Sequence, residues 1–271
     1  MITVGFLGGE VVEYNSVFAL LLTVFAGLST GIGSVIALFV KQKNTKFLSC
    51  SLGFSAGVML YVSMIEILSK SSNYLTEAMG DFKGQCFSVL FFFVGIAFIA
   101  LIDFFVPSTE SDIGSKGKVN NSSLKRMGIM TALAIGIHNF PEGLATFTSA
   151  LRDPPLGVAI AGAIAIHNIP EGIATSAPIY FSTGSRKKAF FVSFLSGMTE
   201  PIGAVIGYLI LMPFFNDIVF GALFAFVAGI MVFISLEELL PMAREIEKSR
   251  AAIVGTVLGM LIMAVSLLLF M

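Results

Sequence analysis

The amino-acid sequence predicts an all-α polytopic membrane protein with eight transmembrane helices, and three observations carry that prediction. Of its 271 residues, 56% are hydrophobic and only 12% are charged, about half the charged share of a soluble domain. Mean hydropathy is +0.93, which excludes a disordered chain and an ordinary water-soluble enzyme. The chain also reads as long uncharged runs cut by short charged loops, and a bilayer-spanning helix needs roughly 20 apolar residues. A net charge of −1 provides no basic surface for nucleic acid. Two cysteines without a CxxC pair exclude a disulfide framework and a thiolate zinc site.

The first span covers residues 16–40, without a single charge, and is stopped by Lys41, Lys43 and Lys46. It is too long for a signal-peptide core, and Glu10 and Glu13 stand where a basic n-region would be. Further spans follow at 47–69, 86–106, 127–150, 155–181, 189–212, 218–241 and 251–271, read together as a single transmembrane domain. Residues 107–126, rich in Ser, Gly, Asn and Lys, have the composition of a long loop. Lys and Arg fall unevenly: the connections after spans 1, 3, 5 and 7 hold 13 of the 16, and only Lys70, Lys83 and Arg152 lie in the opposite set. Positive residues favour the cytoplasmic side. Both termini are therefore expected outside, with loop 107–126 in the cytoplasm, in a cell inner membrane or plasma membrane. Glycines at small-xxx-small spacing, Gly27/Gly31, Gly53/Gly57, Gly203/Gly207 and Gly255/Gly259, point to close helix packing.

One short sequence occurs twice. Residues 134–146 read AIGIHNFPEGLAT and residues 163–175 read AIAIHNIPEGIAT, identical at ten of 13 positions. The copies lie on consecutive spans joined by a tight connection, so they run antiparallel, as in transporters built from inverted repeats around a midplane site. Within each copy His and Glu are four apart, His138 with Glu142 and His167 with Glu171, and share one helical face. Asn139 and Asn168 reach the same face. Pro141 and Pro170 should free the carbonyls of Ile137 and Ile166. These are the chain's only two histidines. Imidazole, carboxamide and carboxylate donors suit Zn²⁺, Fe²⁺, Mn²⁺, Co²⁺ or Cd²⁺ better than Cu(I). A purely structural pair of His–Glu contacts is disfavoured, because an intramembrane carboxylate costs about 3 kcal/mol or more at the helix centre.

Other acids lie within spans. Glu200 precedes Pro201 in the middle of span 6, the same Glu and Pro grammar as the repeats, and is expected to be a third arm of the site. Glu66, towards the outer leaflet, is a candidate for cation entry. Asp103, Glu237 and Glu238, near cytoplasmic ends, are candidates for the exit path.

HNFPEG at 138–143 and HNIPEG at 167–172, followed by Glu200-Pro201 in the next span, resemble the signature of the ZIP (Zrt-, Irt-like protein) family of divalent metal transporters, and most of all its bacterial ZupT branch. The likeness extends over essentially the whole chain: eight spans, outward termini and a long loop after span 3. It implies that His138, Asn139, Glu142, His167, Asn168, Glu171 and Glu200 build a one- or two-metal centre halfway through the membrane, with Glu142 and Glu171 able to bridge. Many relatives have a different residue in place of His167. Many also carry a histidine-rich cytoplasmic loop, whereas loop 107–126 has no histidine.

The chain is accordingly expected to be a membrane transporter, not an enzyme, that moves Zn²⁺ and related divalent cations (Fe²⁺, Mn²⁺, Co²⁺, Cd²⁺) into the cytoplasm. The inward direction follows from the family resemblance. Its expected partners are metal ions and the lipid bilayer, with a homodimer left open, and it needs no cofactor beyond the transported metal. The alternatives are a metal-gated channel and an intramembrane metalloenzyme. HExxH is absent, Arg244 stands too far beyond Glu237 and Glu238 for an EExxxR pattern, and no GxxxxGK[ST] loop is present to couple ATP. If the two histidines ligate the cargo, protons compete with it for imidazole. Uptake should then fall as external pH drops below about 6, near where a model histidine titrates. A His138→Asn/His167→Asn variant that still transports along the wild-type pH curve would remove the histidines from that role.

Overall fold

The computed structural model describes residues 9–39, 41, 44–105, 121–152, 154–211 and 216–269, which are helical apart from short turns, with no strand among them. Helix α1 (Gly9–Leu38) is the first span. Helix α2 (Thr45–Tyr61) starts at Asn44, whose side chain accepts the Phe47 N–H, satisfying one of the amides a helix start leaves free. It continues through a π-turn, Val62–Ile67, into α3 (Leu68–Met79). The second span is therefore one continuous element of 35 residues, about 50 Å long, and does not end near residue 69. Hydropathy falls there because of Ser69, Lys70, Ser71, Ser72 and Asn73, yet α3 still has Ser71 and Leu75 to bury. What stops the helix is Gly80, at φ 84°, a left-handed conformation that glycine adopts without a Cβ clash. Helix α4 (Asp81–Phe105) begins at the next residue.

The remaining spans are α5 (Asn121–Arg152), α6 (Pro154–Thr183), α7 (Arg186–Ile206) and α8 (Asp217–Phe233). After α8 come α9 (Leu240–Ile246) and α10 (Ala251–Leu269). Ser185 and Asn216 cap α7 and α8 by accepting the Lys188 and Val219 amides. A π-turn, Gly207–Leu211, extends α7, and another, Ile234–Leu239, joins α8 to α9. Helix α5 starts six residues inside the stretch expected as loop 107–126; residues 107–120 lie outside the described residues. Seven helical stretches are long and apolar enough to cross a membrane. The eighth, α5, is the least apolar of the long helices because its polar ends, residues 121–126 and Arg152, add to the first His/Asn/Glu motif, whereas α6 carries the second motif without such ends.

Glycine contacts reveal a repeat larger than the two motifs. Gly172 of α6 meets the Thr30 carbonyl of α1, and Gly33 of α1 meets the Ile169 carbonyl of α6. Correspondingly, Gly143 of α5 meets the Glu200 carbonyl of α7, and Gly203 of α7 meets the Phe140 carbonyl of α5. A shift of 29 residues carries α5 onto α6 and one of 170 carries α1 onto α7. Gly27 and Gly197, equivalent under that second shift, face each other's carbonyls, each with room for no Cβ.

The outer helices obey the same relation. Gly57 of α2 lies on Thr256 of α10, and Gly229 of α8 lies on Phe92 of α4. Gly259 of α10 lies on Phe54 of α2, and Gly95 of α4 on Phe226 of α8. Two of the three described π-turns match as well: Ser63 and Ser235 each donate to the carbonyl four residues back, Met59 and Met231, and Glu66 occupies the place of Glu238. Spans 1–3 and spans 6–8 are thus two copies of one three-helix unit, inverted because spans 1 and 6 cross in opposite directions. They interlock, α2 against α10 and α4 against α8, around the central pair α5 and α6. Helices α4 and α10 turn rows of large apolar side chains outwards, among them Phe82, Phe93, Phe104, Val257, Leu261 and Leu268, where lipid can cover them.

Close crossings of this kind replace the hydrophobic drive that is weak between helices in lipid. A Cβ on Gly57 would lie 2.1 Å from the Thr256 carbonyl oxygen, whereas one on Gly31 would meet the Phe194 and Phe190 rings at ordinary contact distances, 3.6 and 4.0 Å. Gly57→Val should therefore destabilise the purified protein by about 1–3 kcal/mol. Gly31→Ala should change it by no more than about 0.5 kcal/mol. Thermal unfolding in detergent measures both, and equal losses would contradict the packing described.

Candidate metal centre

The two motifs meet halfway along their helices. His138, Asn139, His167, Asn168, Glu171 and Glu200 are all buried, while the Glu142 side chain keeps 15% of its exposure. Because α5 and α6 are antiparallel and related by twofold symmetry, each imidazole reaches across to the other motif's carboxylate. His138 Nε2 lies 3.1 Å from Glu171 Oε1, and His167 Nε2 lies 3.2 Å from Glu142 Oε1. The expected partner within the same helix is farther, His138 Nε2 to Glu142 Oε2 at 3.9 Å. None of these contacts is aligned as a hydrogen bond, and both nitrogens of both imidazoles remain buried without one. No three His, Cys, Asp or Glu side chains among the described residues are already drawn into a ready-made metal centre. The donors stand instead as two crossed His–Glu pairs.

Helices α1 and α7 flank the pair and orient the amides. Asn139 Nδ2 donates to the Ser196 carbonyl at 3.3 Å. Asn168 Nδ2 donates to the Ala26 carbonyl and to Glu200 Oε2, both at 2.9 Å. Ser196 and Ala26 are equivalent under the 170-residue shift, so the arrangement belongs to the repeat. With their N–H groups used in this way, both amides are left with Oδ1 buried and unpartnered. Glu200 Oε1 and both Glu171 oxygens are likewise buried without a hydrogen bond. Helices α5 and α6 run unbroken through Pro141 and Pro170, and Ser55 of α2 donates to the Pro170 carbonyl at 2.7 Å.

Three carboxylates and two imidazoles at this depth constitute a strongly acidic, water-poor point. Buried polar groups are normally hydrogen-bonded, so a convergence of free oxygens and nitrogens has the character of a site that completes its coordination with a cation. The donor set of imidazole, carboxamide and carboxylate suits a borderline divalent metal.

Among the described residues, access to the site is seen from one side. A cavity of about 520 Å³ reaches His138 and Glu142 from the end of the bundle where α3 turns into α4, passing Glu66, Lys70, Asn73 and Tyr74. On the other side, Glu171 and His167 lie beneath Met127, Met130, Ala174, Ala177, Tyr180 and Phe181, all buried. At that end Arg126, at the start of α5, pairs with Asp103 of α4 and, at 3.2 Å, with Glu238 of the π-turn after α8. Glu237 is exposed. Of the peripheral acids read from the sequence, Glu66 thus lies in the cavity, and Asp103 and Glu238 join one ion-pair cluster away from the site.

Two features escaped sequence reasoning. Thr30 occupies in α1 the place Glu200 has in α7, with its hydroxyl buried and unpartnered, but residues 23–34 and 193–204 share only three of 12 identities, Gly27/Gly197, Ile32/Ile202 and Gly33/Gly203. Lys70 appeared only as a stray charge, although its four-residue spacing from Glu66 puts both on one helical face; the cavity they line was not legible.

The chain is similar to known proteins over nearly its whole length. Residues 107–267 match the family model described as ZIP Zinc transporter. The zinc transporter ZupT of Streptococcus mutans is 60% identical over 256 residues, covering 93% of this chain and 97% of the relative. That of Lysinibacillus sphaericus is 56% identical over 264 residues, covering 94% and 98%, and that of Clostridium perfringens 55% over 276 residues, covering 94% and 97%. With a family model matching more than half of the chain and relatives similar over nearly its full length, the chain belongs to the ZIP family of metal transporters.

Proposed function

We propose that this chain carries Zn²⁺ and related divalent cations across the membrane into the cytoplasm, binding them among His138, Asn139, Glu142, His167, Asn168, Glu171 and Glu200. The observation that carries the proposal is the convergence of crossed His–Glu pairs with carboxamide and carboxylate oxygens that have no other partner. Glu142 and Glu171 supply most of the charge that replaces the cation's hydration shell. His138 and His167 favour borderline metals over Ca²⁺ and Mg²⁺, which prefer oxygen. Asn139 and Asn168 present neutral oxygens that neighbouring helices hold in place. The cargo is the only metal the function requires.

Lys and Arg distribution makes the cavity end external and the Arg126 end cytoplasmic, so Glu142 faces the donor side and Glu171 the buried side. A site open to one face and covered from the other fits a carrier better than a channel, which needs a continuous path. In the inverted repeat, exchanging the conformations of the two halves would expose Glu171 to the cytoplasm and cover Glu142, the exchange on which alternating access depends. Glu66 lies on the entry route; Asp103 and Glu238 line the exit once Arg126 releases them.

Two experiments test the site. Glu142→Ala and Glu171→Ala should each abolish zinc uptake into proteoliposomes while the protein still inserts, because each removes a carboxylate from a place where a dehydrated dication has few partners. Near-normal transport by either variant would exclude the proposed site. His138→Asp should weaken Zn²⁺ relative to Mn²⁺, since carboxylate is the harder ligand, and an unchanged ranking in competition assays would take His138 out of selectivity.

A further inference from the structure

The route to His138 and Glu142 contains a tethered cation. Lys70 Nζ lies 2.7 Å from Glu66 Oε1, one helical turn away, and both side chains line the cavity together with His138 and Glu142. The second carboxylate oxygen, Glu66 Oε2, is buried and has no hydrogen-bond partner. The acid is the anchored member of the pair, 20% exposed, and the lysine is the open one, at 44%. An ammonium on a four-carbon stem can swing away at little cost, which a bidentate guanidinium cannot. The equivalent acid in the other half, Glu238, is held by Arg126 from a different helix. Met242 stands where the shift of 172 residues would place a second Lys70. Among the described residues, a lysine paired with the acid of the π-turn therefore occurs only in the open half.

We propose that Lys70 is a built-in competitor for the entry carboxylate, and so a selectivity residue. Its ammonium neutralises Glu66 in the cation-free protein, and an arriving cation must displace it to use Glu66 on the way to Glu142. Coulomb attraction to the carboxylate doubles for a dication, so a divalent ion gains from the exchange. A monovalent ion meets a tethered competitor of its own charge and gains nothing. The lysine thereby excludes Na⁺ and K⁺ from the cavity and sets the affinity of its first step. The proposal rests on the reading that cargo approaches His138 and Glu142 through this cavity.

The test is zinc uptake into proteoliposomes by the full chain, with KM measured at low and high KCl. Lys70→Gln should lower KM about three- to tenfold at low salt, and added K⁺ should inhibit this variant more than wild type. Lys70→Arg keeps the charge and should keep the wild-type KM and salt response. Glu66→Gln, which leaves the ammonium unpaired, should raise KM, and Lys70→Gln/Glu66→Gln should lose the gain of the single lysine variant. An unchanged KM in Lys70→Gln, or equal changes in Lys70→Gln and Lys70→Arg, would overturn the proposal. Glu142→Ala assayed alongside separates the two levels. If it transports normally, the site itself is wrong; if it is inactive while Lys70→Gln behaves as wild type, only the role of Lys70 fails.

Discussion

Ionisable groups at the middle of a bilayer must find compensation within the protein, since each unpaired charge there costs roughly 3 kcal/mol or more. Glu142, Glu171, Glu200, His138 and His167 all lie at that depth, and much of the molecule is arranged around them. Their imidazoles and carboxylates cross-pair between α5 and α6. The asparagine amides take their acceptors from α1 and α7, which orients both side chains. Such an arrangement tolerates its own charges, but it leaves oxygens without donors. On the proposed function, a divalent cation would supply what they lack.

Backbone proximity makes the compensation feasible. The glycines closing the two motifs, Gly143 and Gly172, lie directly on the carbonyls of Glu200 and Thr30. No residue with a side chain could stand at these crossings without pushing α7 from α5 or α1 from α6. The same glycines that allow tight packing therefore bring the third acid and the flanking carbonyls within reach of the site. Packing and chemistry are here one constraint.

Symmetry and its breach divide the work between them. The inverted repeat gives both halves the same crossings, a matching π-turn after α2 and after α8, and the same acid in each of those turns, Glu66 and Glu238. The basic partners of those acids do not repeat: Lys70 lies on its own helix beside an open cavity, whereas Arg126 ties α5 to α4 and to the turn after α8 where the path is covered. The scaffold repeats but its charges do not: the acid beside the cavity is paired within one helix, and the acid at the other end is paired across helices.

Membrane insertion, helix count and the central motif were legible in the sequence because each is a local property. Apolar runs specify spans, and four-residue spacing puts His138 with Glu142 and His167 with Glu171 on one helical face whatever surrounds them. What spacing could not show was which groups would pair, because contact between α5 and α6 depends on their relative rotation; the close pairs proved to be His138 with Glu171 and His167 with Glu142. Hydropathy likewise ended the second span at the polar residues near 69, while backbone hydrogen bonding carried the helix to Met79. The larger repeat stayed hidden because packing preserves glycine positions and leaves the lipid-facing side chains between them free to differ. The sequence by itself thus determined the spans, the motifs and the chemistry of the donors, since these depend on neighbours along one helix. Only the tertiary structure decided the crossed pairing, the equivalence of Thr30 and Glu200, and the cavity joining Glu66 and Lys70 to the site, since these depend on distances between helices that no single helix encodes.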